Sequence, residues 1–230
     1  MRNFTLFLLL CGVDSLFAQK LEPSVGFYLG YNHSWDFQVE TGTVANQKFR
    51  KEVSGALHYA LLGGFFDLTF VDFTVDGAFS FGEPTISTTT EQGSNKIRAT
   101  TFPKTFLIGL NLALHGKYPF ALGRGIEIFP LLGVAYHLNL VFSDTALNIN
   151  KNDLTEQQKI ELNELYLEGG VSLNWAINNT VYLRPVFLIG YNFLAATEAG
   201  KQAAQNANRD YFAGGLKLGV NVGVGFKLQS

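Results

Sequence analysis

Between residues 24 and 37 the side chains alternate. Val25, Phe27, Leu29, Tyr31, Trp35 and Phe37 fall on one parity, interrupted by His33, and Gly26, Tyr28, Gly30, Asn32, Ser34 and Asp36 fall on the other. A period of two belongs to a β-strand, here with one bulky apolar face and one small polar face. Seven later segments repeat the pattern. Leu57, Tyr59, Leu61 and Phe65 oppose His58, Ala60 and Gly64, and Val71, Phe73, Val75, Phe79 and Phe81 oppose Asp72, Thr74, Asp76, Ala78 and Ser80. Phe106, Ile108, Leu110, Leu112 and Leu114 oppose Thr105, Gly109, Asn111 and Ala113, and Ile126, Ile128, Leu132, Val134, Tyr136 and Leu138 oppose Glu127, Gly133, Ala135, His137 and Asn139. The last three set Leu165, Leu167, Val171, Leu173 and Trp175, then Val181, Leu183, Phe187, Ile189, Tyr191 and Phe193, then alternate residues from Leu216 to Leu228, against polar or glycine positions. Each is about as long as the 9–11 residues with which a tilted strand crosses a bilayer. The pattern predicts an all-β fold: an eight-stranded, antiparallel, up-and-down transmembrane β-barrel.

The chain of 230 residues, 47% hydrophobic and only 16% charged, with net charge -2, offers no attraction to nucleic acid. Residues 1–18 read as a signal peptide, with Arg2 as the positive start, 4–10 as the apolar stretch and 15–18 before a cut at Gln19, leaving 19–230 as the barrel domain. A short apolar N-terminus packed on the domain and lipidation at Cys11 stay open as alternatives. Cys11 is the sole cysteine, so a processed chain has no thiol chemistry. No later stretch has the ~18 uninterrupted apolar residues of a membrane helix, which leaves crossing to strands.

The connections alternate in length. Those near 38–53, 83–98, 141–163 and 194–210 are long and polar, the others short, with a tight turn expected at Asn178 and Asn179. Four long extracellular loops and short inner turns are the rhythm of an outer-membrane barrel, and they put both termini in the periplasm. Asp153 or Thr155 is placed to cap a short helix over 156–162 in the third long loop.

An eight-stranded barrel also describes a soluble lipid carrier, whose apolar face lines a cavity. Glycine decides between them. Gly26, Gly30, Gly64, Gly109, Gly133, Gly170, Gly190, Gly215, Gly219, Gly223 and Gly225 share the parity of the charged residues. Glycine weakens a water-exposed strand, whereas a narrow lumen needs small side chains, so the polar face is read as the interior. Trp35, Phe37, Phe79, Phe81, Tyr191 and Phe193 toward one rim, and Phe65, Phe73, Trp175 and Phe226 toward the other, then serve as interface aromatics.

Asn221, Gly223, Phe226 and Leu228 match the polar-x-Gly-x-x-apolar-x-apolar signature that looks like the assembly signal of bacterial outer-membrane barrels. With the leader and the eight strands, the mature chain resembles the small outer-membrane barrel proteins of the OmpW, OmpX and OmpA-barrel types. The resemblance implies bacterial outer-membrane lipid and the outer-membrane assembly machinery as partners. Its OmpW-like members imply passage of small hydrophobic molecules sideways into the membrane.

On the inward parity, Asp72, Asp76, Glu127, Glu168, Arg184 and Lys217, with His58 and His137, are expected to form a lumen network, read as a structural plug or as an ion gate. If Asn178 and Asn179 set the register, Glu168 lies about 20 Å from Arg184 at ~3.4 Å per residue. Arg184 is therefore expected to pair with Glu127 or with the aspartates of the third strand. Catalysis is not expected, because His33 and Asp36 have opposite parity and no nucleophile, base and acid converge. The four histidines lack metal-ligand spacing, so neither metal nor cofactor is expected. Two functional readings remain: a narrow barrel passing small hydrophobic solutes or serving as an envelope component, and a surface adhesin binding an extracellular ligand through its long loops. A closed cylinder has no free edge, so a monomer is expected.

Overall fold

The computed structural model describes residues 23–145, 148–195 and 197–228; the signal-peptide and Cys11 readings lie outside them. Eleven antiparallel strands make one sheet: β1 (Ser24–Val44), β2 (Gln47–Leu68), β3 (Val71–Gln92), β4 (Asn95–Thr101), β5 (Thr105–Lys117), β6 (Phe120–Gly123), β7 (Ile126–Asp144), β8 (Ile149–Asn150), β9 (Glu164–Ala176), β10 (Val181–Asn192) and β11 (Asp210–Lys227). Among the described residues two α-helices, α1 (Glu156–Glu161) and α2 (Glu198–Asn206), span six and nine residues, and no helix is long and apolar enough to cross a membrane.

The sequence predicts eight strands, and eleven are present among the described residues. The short strands β4, β6 and β8 are hairpin returns on β3 and β7. The remaining strands pair in the order β1, β2, β3, β5, β7, β9, β10 and β11, and β11 pairs back onto β1. The closing ladder is long, running without a shift from Ser24 opposite Lys227 to Thr41 opposite Asp210.

Two of the expected long loops are strand. β1 and β2 continue past the aromatic rim to a two-residue turn at Ala45 and Asn46, both with positive φ, as the tight turns matched to strand twist require. β3 likewise continues to Gln92 and returns as β4 through Gly93 (φ 58°). The threonine run at 88–90 reads as loop by polarity, but β-branched side chains favour a pleated strand. Near that tip the hydrogen bond and charge of Lys96 hold the Glu91 carboxyl below its usual range. The loop helix forms as expected, with Thr155 Oγ1 accepting from Gln158 N at 3.3 Å. Helix α2, capped by Thr197, is an addition in a stretch read as an open loop. At the other end, Asn178 Oδ1 accepts from the backbone N–H groups of Thr180 and Val181, at 2.9 and 2.8 Å, and fixes the β9–β10 turn.

The sheet is apolar outside and polar inside. Phe27, Leu29, Leu62, Leu132 and Phe187 lie on the exposed wall, while Asp72, Asp76, Glu168, Arg184 and Lys217 are buried within. Inward glycines make room for interior rings: a Cβ on Gly225 would overlap the Tyr182 ring, and one on Gly26 the Phe65 ring. Strand β2 is inverted relative to expectation. Tyr59, Leu61 and Phe65 are buried, Leu62 and Phe66 are exposed, and Gly63 rather than Gly64 faces inward against Asp76. The physical reason is that β2 carries bulky apolar residues on both parities, so its facing is fixed by its pairing with β1.

These contacts lead to a contrast between two glycines. Gly225→Val is expected to lower stability in chemical unfolding of the detergent-solubilised protein by about 1–3 kcal/mol, the usual range for overpacking. Gly116→Val, whose Cβ would meet only Leu132 O at 3.7 Å, is expected to leave the midpoint within error. Equal effects at both positions would contradict the close approach at Gly225.

Candidate functional site

The interior polar residues form three layers along the axis. In the layer nearest the termini, Arg184 on β10 reaches Asp72 on β3 (2.8 Å) and Asp67 on β2 (3.3 Å), while its Nε donates to Ser172 on β9 at 3.1 Å. Strands β10 and β3 lie four steps apart around the closed circuit, so this pair spans the lumen. Lys117 also pairs with Asp67 and stands 4.3 Å over the Phe129 ring, and the Arg184 guanidinium stands 4.5 Å over Phe65. Both aromatic side chains face inward and shield these charges from water.

In the middle layer Glu168 pairs with Lys217 and lies 2.9 Å from His115 Nε2. Tyr28 donates to Asp76 at 2.5 Å, and Asn111 Nδ2 donates to the other oxygen of the same carboxylate at 2.7 Å. Above it, His137 lies between Asn111 and Asn139. Asn139 is tied to the loop carrying α1: its Nδ2 donates to Leu162 O, its N–H to Asn163 Oδ1, and Lys151 Nζ donates to its carbonyl. The loop is thereby anchored to the upper end of the interior.

Little space is left between the layers. A vestibule of 350 Å³ at the terminal end is lined by Asp67, Lys117, Glu127, Phe129 and Tyr182. A second, of 250 Å³, opens at the hairpin end among Leu57, Leu107 and Phe142 and the polar side chains of Asp36, Glu161 and Glu164. Between them, the void beside Asp72, His115, Arg184 and Asn221 measures 20 Å³, about the room one water molecule needs. The interior is thus two cups with a charged, packed floor between them.

Of the residues predicted for the lumen, Asp72, Asp76, Glu168, Arg184, Lys217 and His137 are in these layers. Two expectations are corrected. His58 is outside, hydrogen-bonded to Tyr31 and His33, because β2 is inverted. Glu127 lines the lower vestibule and takes no part in the Arg184 pair; its strand register places it at the mouth. Asp67, Lys117 and His115 were missed. They lie at or just beyond the ends of the alternating stretches, where a period-two reading fades. Among the aromatics, Trp35, Phe81, Trp175, Tyr191, Phe193 and Phe226 are exposed on the outer wall, and Phe37 is half-buried against Phe212. Phe65 is not an interface residue, since it faces Arg184. Asn221 and Gly223 face inward on β11 while Phe226 and Leu228 face outward. Among the described residues no group of three or more His, Cys, Asp or Glu side chains stands together in a metal-binding arrangement.

The chain matches no protein-family profile, and no curated protein matches it. Solved structures similar to it include small bacterial outer-membrane β-barrel proteins. The N-terminal β-barrel domain of Pseudomonas aeruginosa OprF is 12% identical, over 85% of this chain and 97% of that one, with a TM-score of 0.42. The outer membrane protein OprG of the same organism is 12% identical, over 89% and 97%, with a TM-score of 0.37. Ail, the attachment invasion locus protein of Yersinia pestis, is 9% identical, over 90% and 99%, with a TM-score of 0.36.

Removing one partner of a buried ion pair typically costs about 3–5 kcal/mol, because the opposite charge is stranded. Arg184→Met is therefore expected to lower the unfolding free energy by about that amount. Adding Asp72→Asn, which keeps Asp67 as the partner of Lys117, should recover part of the loss. A neutral Arg184→Met, read by urea unfolding in detergent, would contradict the spanning pair.

Proposed function

We propose that this chain is an integral β-barrel protein of a bacterial outer membrane, in which the circuit of eight long strands is the membrane-spanning wall. The exposed apolar wall carries the reading. Leaving a large apolar side chain in water forgoes about 1.5–3 kcal/mol, and Phe27, Leu29, Leu62, Leu114, Leu132, Phe187 and Val222 alone would forgo on the order of the whole 5–15 kcal/mol of a domain's stability. Such a wall suits acyl chains, and the aromatic rims suit the headgroup levels. The short turns lie at the end where Ser24 pairs with Lys227, which supports a periplasmic position for that end. In this reading Asn221, Gly223, Phe226 and Leu228 on the closing strand are the signal to the assembly machinery, and the closed barrel acts as a monomer.

The filled floor argues against a through-pore and for sideways movement of small hydrophobic solutes. The upper vestibule sets the apolar side chains of Leu57, Leu107 and Phe142 beside the carboxylates of Asp36, Glu161 and Glu164, and the β3–β5 ladder ends at Phe79 opposite Ile108, whereas β5–β7 continues to Thr105 opposite Asp144. Above that end β3 bends through Gly82 (φ 75°) and Pro84 and pairs with β4 instead. There the Leu107 N–H donates to Ser80 Oγ at 2.7 Å, so in this reading that single side-chain bond between β3 and β5, level with exposed Phe79, Phe81 and Phe106, is what an apolar molecule displaces on its way to the outer leaflet. One observation favours the alternative of a surface adhesin: all of β4 is exposed, and it is paired with β3 alone among the described residues. An open strand edge is a template for an extended ligand segment.

In planar bilayers the purified protein is expected to give no steady porin-sized current. Cells producing it should take up a small fluorescent aromatic hydrocarbon faster than cells without it, and Leu57→Trp with Leu107→Trp, which fills the vestibule, should abolish the difference. Steady conductance would overturn the closed floor, and uptake indifferent to the filling would overturn the sideways route.

A further inference from the structure

We propose that Tyr31, His33 and His58 form a binding site for a divalent transition-metal ion, such as Cu²⁺ or Zn²⁺, on the outer wall across β1 and β2. The strand register sets His33 directly opposite His58. Their Nδ1 atoms are 2.9 Å apart, and Tyr31 Oη lies 2.7 Å from His58 Nδ1. Three ligand-type heteroatoms thus converge on one spot of a wall that is otherwise apolar. Phe81 flanks the Tyr31 and His58 rings, and Trp35 meets His33 edge-on with centroids 3.8 Å apart.

Proton chemistry satisfies this cluster poorly. A neutral imidazole nitrogen has one in-plane direction, holding either a proton or a lone pair, yet His58 Nδ1 faces two close partners. A cation between the three atoms accepts a lone pair from each. Imidazole nitrogen binds Zn²⁺ at about 2.0–2.1 Å, so two such ligands on a tetrahedral ion stand roughly 3.4 Å apart. The two rings need to part by about half an ångström to reach that spacing, and the Tyr31 oxygen must draw back from His58 by slightly more. With two imidazoles and one phenol oxygen supplied by the chain, a fourth position stays open to water or a lipid phosphate. Imidazole ligands favour Cu²⁺ and Zn²⁺ over the harder Mg²⁺ and Ca²⁺.

The test uses the full chain in detergent, stripped with a chelator, so its outcome does not depend on where the protein resides. Trp175→Phe leaves Trp35, beside the site, as the only tryptophan. Micromolar Cu²⁺ is expected to quench its fluorescence, Zn²⁺ to reverse the quenching by competition, and Mg²⁺ to do nothing. His58→Ala and His33→Ala each remove one ligand and should weaken the response at least about tenfold. Both side chains lie on the outer wall, and unchanged heat-modified mobility in gels verifies that the variants fold. Quenching that needs millimolar Cu²⁺, or that is unaltered in His58→Ala, would overturn the site.

Discussion

A strand's backbone N–H and C=O groups must be paired wherever water is excluded, and this chain meets that demand by joining β11 to β1. The unbroken ladder between those strands turns a sheet into a cylinder. Closure then creates the other features: an outer wall that keeps its bulky residues, and an interior in which side chains from opposite sides come within bonding distance. Arg184 meets Asp72 only because β10 and β3 face each other across the closed ring. In an open, twisted sheet those residues would lie several strand widths apart.

The interior shows how a narrow barrel accommodates charge. Each buried cation has at least one carboxylate, and aromatic faces cover Arg184, Lys117 and Lys217. Such pairs do not by themselves imply high stability, because desolvation offsets much of their attraction. Their firmer consequence is geometric. They fill the middle of the lumen and divide it into two vestibules, one at the termini lined by groups of both charges and one beneath the hairpins where carboxylates and apolar side chains mix.

Alternation in the sequence worked where one parity was plainly small or charged. In β3, Asp72 and Asp76 mark the inner face, and in β11 the glycines do. It failed on β2, where Leu57, Tyr59, Leu61 and Phe65 compete with Leu62 and Phe66 and hydrophobicity has no preferred side. Polarity also misled at 38–53 and 83–98, because hairpins that leave the apolar belt keep their strand pairing while losing their hydrophobic face. Asp67, Lys117 and His115 lie at the strand ends near the termini, where too few alternating positions remain to mark a face.

The backbone's period and, on most strands, which side chains share a face are already written in the order of the residues, because both are local properties of adjacent positions. Tertiary structure alone decided the rest. The facing of β2, the choice of Asp67 and Asp72 for Arg184, and the meeting of His33 with His58 follow from register between strands and from closure of the ring. Those contacts join positions from 25 to more than a hundred residues apart. Spacing along the chain carries no trace of them, since it is the hydrogen-bonded pairing of whole strands that sets their distances.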